Sequence, residues 1–276
     1  MVLYLANIMT RFLFLFLILL FNNHLMVAQR VVPASQKALV ADTFIGIDNY
    51  RNIYFIKDEV IHKQGLEGNF VFTDLQLGRI ATVDIINPLK VVVFFEDTNT
   101  VVFLDNNLNE IQRFNFNNLP QFLNVSTATN AGNNSLWICN VDTQQLELYN
   151  YNSKIQRVVS QPFSGALLSQ ASNFNYCFIL TENSLRAFNS YGSLLNEIPN
   201  DGFKKIIQQN ENLIALSENE LYYLHDFASR NREITTEIVT LTLPEITIKD
   251  LQLSNEFLYI YDGKILHTFK LIPPKK

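Results

Sequence analysis

Acidic residues recur along the chain in short polar segments, each of which lies between two apolar runs. They are Asp58, Glu59, Glu96, Asp97, Asp142, Glu182, Glu218 and Asp262. Carboxylates gathered on one surface can attract a basic protein or hold a cation weakly. Acidic residues also occur in tight turns for purely structural reasons, because they bond the turn backbone or solvate it. The pattern gives a candidate acidic docking face.

The sequence lacks the motifs that usually mark catalytic, metal-binding and phosphate-binding sites. Its four histidines are His24, His62, His225 and His267, and none belongs to an H-E-x-x-H or His-x-His pattern. There is no nucleophile elbow, no C-x-x-C pair and no glycine-rich phosphate loop. We therefore predict no catalytic residue, no metal ligand and no cofactor.

Composition limits the class of protein. The chain has 276 residues, of which 48% are hydrophobic and 17% are charged, and its net charge is -5. This length and apolar fraction exclude a disordered tail and a disulfide-stapled miniprotein. The charge argues against a nucleic-acid partner, because phosphate binding needs clustered Lys and Arg.

The N-terminal residues have the pattern of a secretory signal peptide. Residues 12–21 read FLFLFLILLF, an unbroken apolar run that follows Arg11. A membrane-spanning helix needs roughly 20 apolar residues, so this run is short for a span. We predict a signal peptide over residues 1–28, cleaved after Ala28, and a single mature domain over 29–276. The protein would then be exported and be periplasmic, associated with the outer envelope or secreted, with no stable membrane span. An uncleaved membrane anchor is the alternative.

Strand-like segments fill the rest of the chain. Runs such as KVVVFFED, QLELYNY and EFLYIYDG are rich in Val, Phe, Tyr and Leu, and polar turn residues follow them. A strand, a short polar turn and a second strand recur six times with a period of about 40 residues. The acidic residues named above lie in these six turns. Cys139 and Cys177 fall inside apolar runs, so we predict two buried free thiols.

Two further markers repeat in phase with the turns. Asparagines that suit positive φ precede the six apolar hairpins, at Asn49, Asn87, Asn130, Asn173, Asn210 and Asn255. Prolines precede further strands, at Pro120, Pro162, Pro199 and Pro244. The repeating unit is therefore four strands. Its innermost strands are predicted to begin near Phe44, Ala81, Phe122, Ala166, Phe203 and Ile246.

In unit size and strand pattern, residues 36–271 resemble the six-bladed β-propeller superfamily. The resemblance implies an all-β fold of six four-stranded antiparallel blades around a central channel. The signatures of WD40 blades and of sialidase-type blades are absent. The last unit stops after its third strand, and we predict that residues 37–42 supply the missing outer strand and close the ring. A β-sandwich is the alternative, but it gives no reason for the repeat.

These features favour an exported, non-enzymatic propeller that acts as a protein-interaction platform in the cell envelope. An envelope or secreted protein is the expected partner, and the acidic turns, which share one face of a propeller, are the expected docking surface. A metal-dependent propeller hydrolase or lactonase is one alternative, and a carbohydrate-binding propeller is another. Candidate acids at the channel mouth are Asp48, Asp84 and Asp250, which is few for a calcium site. The polar residues expected on the innermost strands are Asp84, Asn124, Ser126, Ser169, Gln208 and Asp250.

Overall fold

Each sequence repeat folds as one antiparallel sheet of four strands. The computed structural model describes residues 30–229 and 238–272. Blade 1 contains β2 (Thr43–Ile47), β3 (Ile53–Lys57), β4 (Val60–Gly65) and β5 (Gly68–Phe72); blade 2 contains β6 (Ile80–Asp84), β7 (Val91–Phe95), β8 (Thr100–Leu104) and β9 (Glu110–Asn115). Blade 3 contains β10 (Val125–Gly132), β11 (Ser135–Asn140), β12 (Gln145–Asn150) and β13 (Ile155–Val158). A short 3₁₀ helix (Phe116–Asn118) lies between blades 2 and 3.

The remaining three blades follow the same plan. Blade 4 contains β14 (Leu167–Ser172), β15 (Tyr176–Thr181), β16 (Ser184–Asn189) and β17 (Leu194–Pro199); blade 5 contains β18 (Lys205–Gln209), β19 (Asn212–Ser217), β20 (Glu220–Leu224) and β21 (Ile238–Leu241). Blade 6 contains β22 (Asp250–Ser254), β23 (Phe257–Tyr261), β24 (Ile265–Ile272) and, from the other end of the described chain, β1 (Arg30–Ala38). The chain is a six-bladed β-propeller, as the repeat predicts.

Packing between blades explains the continuous apolar runs of the sequence. The two middle strands of a blade are covered on both faces, so all residues of β7 and β8 are buried. Single apolar clusters cross from one blade to the next; one of them joins Trp137 and Cys139 of blade 3 with Cys177 and Phe188 of blade 4. Both cysteines are buried and free, which confirms the prediction.

The N-terminal strand closes the ring. Strand β1 pairs antiparallel with β24, from Arg30 opposite Ile272 to Ala38 opposite Ile265. Closure by an N-terminal strand is confirmed, but the predicted position, 37–42, is wrong for all but its first two residues. Pairing with β24 extends back to Arg30 through Pro33, which an outermost strand tolerates, and the register shifts between Pro33 and Ser35. Residues 39–42 instead form the link to blade 1.

Two predicted strand starts are displaced. Strand β10 begins after Phe122, which is exposed in the preceding link, and β22 begins after Ile246, which packs from the link against an apolar cluster. Apolar residues in a link have the same sequence pattern as the start of a strand, so the sequence places these two strand starts too early. Of the six marker asparagines, only Asn210 and Asn255 adopt positive φ. Asn87, Asn130 and Asn173 instead accept backbone N–H groups of their own turns, whereas the side chain of Asn49 accepts a hydrogen bond from the Asn255 amide.

The predicted signal peptide, residues 1–28, lies outside the described residues. Among the residues that the structure does describe, no helix is long and apolar enough to cross a membrane.

Candidate functional site

The predicted acidic turns lie together on one face of the propeller. They connect the second and third strands of each blade, and alternating strand direction brings them to the same side as the links between blades. We define this acidic face as the turns at 58–59, 96–99, 141–144, 182–183, 218–219 and 262–264, together with the links at 39–42, 73–79, 116–124, 159–166, 200–204 and 242–249. The opposite face carries the other hairpin turns.

Acidic residues outnumber basic ones on the acidic face. Besides the predicted acids, its links contribute Asp42, Asp74, Asp201 and Glu245. Its basic residues are Arg79, Lys204, Lys249 and Lys264. All the predicted acids are exposed except Asp262, which is half-buried. The face therefore has a negative field that a positively charged surface would complement.

Several predicted acids fasten the turns to the neighbouring links. Asp97 accepts the backbone N–H of Arg79 at 2.8 Å, and the Arg79 guanidinium pairs with Glu96. Glu182 accepts the N–H of Ala166 at 3.0 Å. These carboxylates have the structural role that turn chemistry predicts for acids. Some of the recurring acids therefore hold the links between blades in place.

Asp262 is also bound within the fold. Its carboxylate accepts the N–H groups of Lys264 and Ile265 and contacts Nε2 of His267 at 2.8 Å. Partial burial opposes ionisation, but the His267 imidazole and the two N–H groups outweigh it and lower the pKa of Asp262 to about 2.

Other acids project freely from the same face. Asp58 and Glu59 form a two-residue turn with φ values of 51° and 62°, and their carboxylates take part in none of the hydrogen bonds among the described residues. The Glu218 side chain is 84% exposed, and its carboxylate lies 4.0 Å from the Lys204 ammonium. Exposed ion pairs of this kind contribute little to stability. These carboxylates are available to a partner.

Exposed apolar side chains lie among the free acids. Val40, Leu75 and Phe122 project from the links with exposures of 72%, 74% and 56%, and Val141 projects from a turn. Sequence reasoning missed this feature because Phe122 was assigned to a strand. Apolar side chains amid charges are typical of protein-binding surfaces.

The innermost strands line a central channel of about 510 Å³. Of the predicted polar residues, Asp84, Ser169, Gln208 and Asp250 line it, and Asp48 does so as well. Asn124 and Ser126 do not; Asn124 bonds the turn residue Asp142 instead. The prediction missed Gln170, Lys205 and Gln252, because which side of an innermost strand faces the channel depends on its register.

Most polar channel residues bond the neighbouring blade. Asp84 accepts the N–H of Asn130, and Ser169 accepts the N–H of Ile206. Gln252 bonds both the N–H and the carbonyl of Ile47. It fits because Gly46 has no side chain; a Cβ there would lie 2.6 Å from Nε2 of Gln252. These side chains join the innermost strands into a ring.

The channel acids have separate partners. Asp250 accepts the N–H of Phe44 and pairs with the Lys205 ammonium at 3.1 Å. Asp48 accepts the N–H of Asn52 within its own turn. Among the described residues, no group of three or more His, Cys, Asp and Glu side chains is placed to hold a metal ion.

Solved propellers share this fold at low sequence identity. A chain of a mitotic checkpoint complex is 10% identical with a TM-score of 0.61, and the match covers 90% of this chain and 94% of that one. The WD40 repeats of RRP9 are 11% identical with a TM-score of 0.56, covering 88% and 100%. Virginiamycin B lyase from Staphylococcus aureus, solved with quinupristin as a catalytically inactive variant, is 11% identical with a TM-score of 0.54, covering 86% and 99%. No family model and no curated protein matches the sequence.

Proposed function

We propose that this propeller is exported to the cell envelope, where its acidic face docks a basic protein partner. The observation that carries the proposal is the combination of free carboxylates with exposed apolar side chains on one face. Burial of Phe122 and its apolar neighbours would stabilise a complex, and the carboxylates would select a positively charged partner.

The closed ring supports this role. Each turn and link is fixed at both ends by strands, and acids such as Asp97 and Glu182 bond the links directly. A preordered surface loses little conformational entropy when it binds. The proposed platform is therefore a rigid scaffold that presents side chains.

Export is the second part of the proposal, and the pattern of residues 1–28 supports it. The partner must be in the same compartment as the protein. One experiment can therefore test both the localisation and the partner.

The test is in-cell crosslinking of the tagged full-length protein, followed by fractionation and mass spectrometry. The expected result is one dominant basic envelope protein, together with a mature N-terminus at Gln29. A variant carrying Asp58→Asn, Glu59→Gln and Glu218→Gln should lose most of this crosslink, because it removes three exposed carboxylates whose only polar contact among the described residues is the weak Glu218–Lys204 pair.

A matched control carries Glu67→Gln and Glu256→Gln, which remove exposed acids from the opposite face. The control should crosslink as strongly as the unchanged protein. A partner that survives the substitutions on the acidic face, or equal losses in both variants, would contradict docking there. Intact protein retained in the cytoplasm would contradict export.

A further inference from the structure

The central channel has the size and the two-sided chemistry of a small-molecule site. Its volume of about 510 Å³ falls within the range of ligand pockets, roughly 300–1,000 Å³. One wall is apolar and is formed by Ile45, Ile47, Val83, Ile85 and Ile86 from blades 1 and 2. The facing wall carries amide and hydroxyl groups from blades 4 and 5, including those of Ser172 and Gln208. A ligand with an apolar part and a polar part would match both walls.

Two of the channel carboxylates, Asp48 and Asp84, have no cationic partner among the described residues, and they differ in how many hydrogen bonds they accept. Four charged side chains line it: Asp48, Asp84, Asp250 and Lys205. Lys205 pairs with Asp250. The oxygens of Asp48 accept hydrogen bonds from the N–H groups of Tyr50 and Asn52, the Asn52 amide and the Tyr54 hydroxyl. Asp84 has no cationic partner among the described residues.

Asp84 keeps acceptor capacity toward the channel. One oxygen accepts the N–H of Ile86 at 2.9 Å and the other accepts the N–H of Asn130 at 2.7 Å. A carboxylate offers about four acceptor positions, so these two bonds leave others open. Burial raises the pKa of Asp84 to about 6, although both N–H groups oppose the shift. At neutral pH the group is still mostly ionised, in a place where its charge is poorly solvated.

We propose that the channel binds an organic cation with an apolar stem, whose ammonium or guanidinium group pairs with Asp84. The stem would lie along Ile45, Val83 and Ile85, which line the channel on the side of blades 1 and 2, as Asp84 does. The cation would supply the charge that the channel lacks, and an amine would donate to the open positions of the carboxylate. This site is separate from the acidic face and does not depend on a protein partner.

Calorimetric titration of the full-length protein with hexylamine tests the proposal, with hexanol as the neutral probe. At a pH well above the pKa of Asp84, hexylamine should bind to the channel, and hexanol should bind more weakly. Asp84→Asn should weaken hexylamine binding by about tenfold or more. The control is Asp105→Asn, because Asp105 also accepts two backbone N–H groups in a turn but lies outside the channel. This control should bind hexylamine like the unchanged protein.

The pH dependence of the unchanged protein gives a second test that needs no variant. Hexylamine binding should weaken as the pH falls through about 6, because protonation removes the charge of Asp84. The other charged groups facing the channel, Asp48, Asp250 and Lys205, have partners of their own. Equal binding of hexanol, unchanged binding in Asp84→Asn, pH-independent binding, or no binding of hexylamine would each overturn the proposal.

Discussion

At the scale of single residues, Asp262 shows why acids in turns have two interpretations. In sequence it belongs to the same recurring set as Asp58, but in the fold it bonds two N–H groups and His267, whereas Asp58 projects freely. The spacing of acids along the chain gives no information about these partners, because they are set by the local turn geometry. The sequence could predict the acidic face, but only the structure separates its free carboxylates from its bound ones.

Asp262→Asn should lower the free energy of unfolding at neutral pH by about 1 kcal/mol. The pKa of Asp262 is lowered in the fold, so its ionised form stabilises the protein above the unfolded value of 3.8, and this contribution is lost as the pH falls toward about 2. Urea unfolding at a series of pH values should show the difference between the variant and the unchanged protein shrinking below about pH 4. Asp58→Asn is the control and should change little. If the difference in free energy of unfolding did not change with pH, the charge of Asp262 would not contribute to stability.

At the scale of elements, ring closure depends on more than the pairing of β1 with β24. The Tyr261 hydroxyl, on β23, accepts the N–H of Ala41 at 3.2 Å and lies 3.2 and 3.0 Å from the carbonyl oxygens of Leu39 and Ala41. All these groups are buried. The hydroxyl therefore fixes the link that carries the chain from the last blade to the first.

Tyr261→Phe should destabilise the protein by about 1–3 kcal/mol, because it leaves buried backbone groups without their partner. Tyr259→Phe is a matched control on the same strand, since no hydrogen bond joins the Tyr259 hydroxyl to another described residue. Chemical denaturation of both variants measures the difference. Equal stability of the two would show that the hydroxyl contact is unimportant for closure.

The strands and links also show which features of the fold can be predicted from sequence patterns. The alternation of strands and polar turns, with its repeat, was enough to predict six four-stranded blades and closure by an N-terminal strand. The exact bounds were less accessible, because links such as the one containing Phe122 are as apolar as strands. Channel residues such as Lys205 and Gln252 were missed for a related reason. Their direction follows from strand register, and register is fixed by packing between blades that are distant in sequence.

At the scale of the whole molecule, one contact between neighbouring blades differs from the rest. We call the contact between the innermost strands of two adjacent blades a seam. Side-chain hydrogen bonds or an ion pair connect the innermost strands at five seams, as Asp84 does between β6 and β10 and Ser169 between β14 and β18. Among the described residues no hydrogen bond joins β2 to β6. Apolar packing, including Ile45 and Val83, holds that seam instead.

We expect the seam between blades 1 and 2 to open first in the native state. Local openings release the regions that have the fewest stabilising interactions, and a seam without polar connections can separate without leaving buried donors unpaired. In native-state hydrogen exchange followed by mass spectrometry, peptides from β2 and β6 should exchange faster than peptides from β14 and β18. Ser169→Ala removes the acceptor of the Ile206 N–H and should speed exchange at the seam between blades 4 and 5, leaving β2 and β6 unchanged. Slower exchange in β2 and β6 than elsewhere would mean that apolar packing alone holds a propeller seam more firmly than packing with hydrogen bonds.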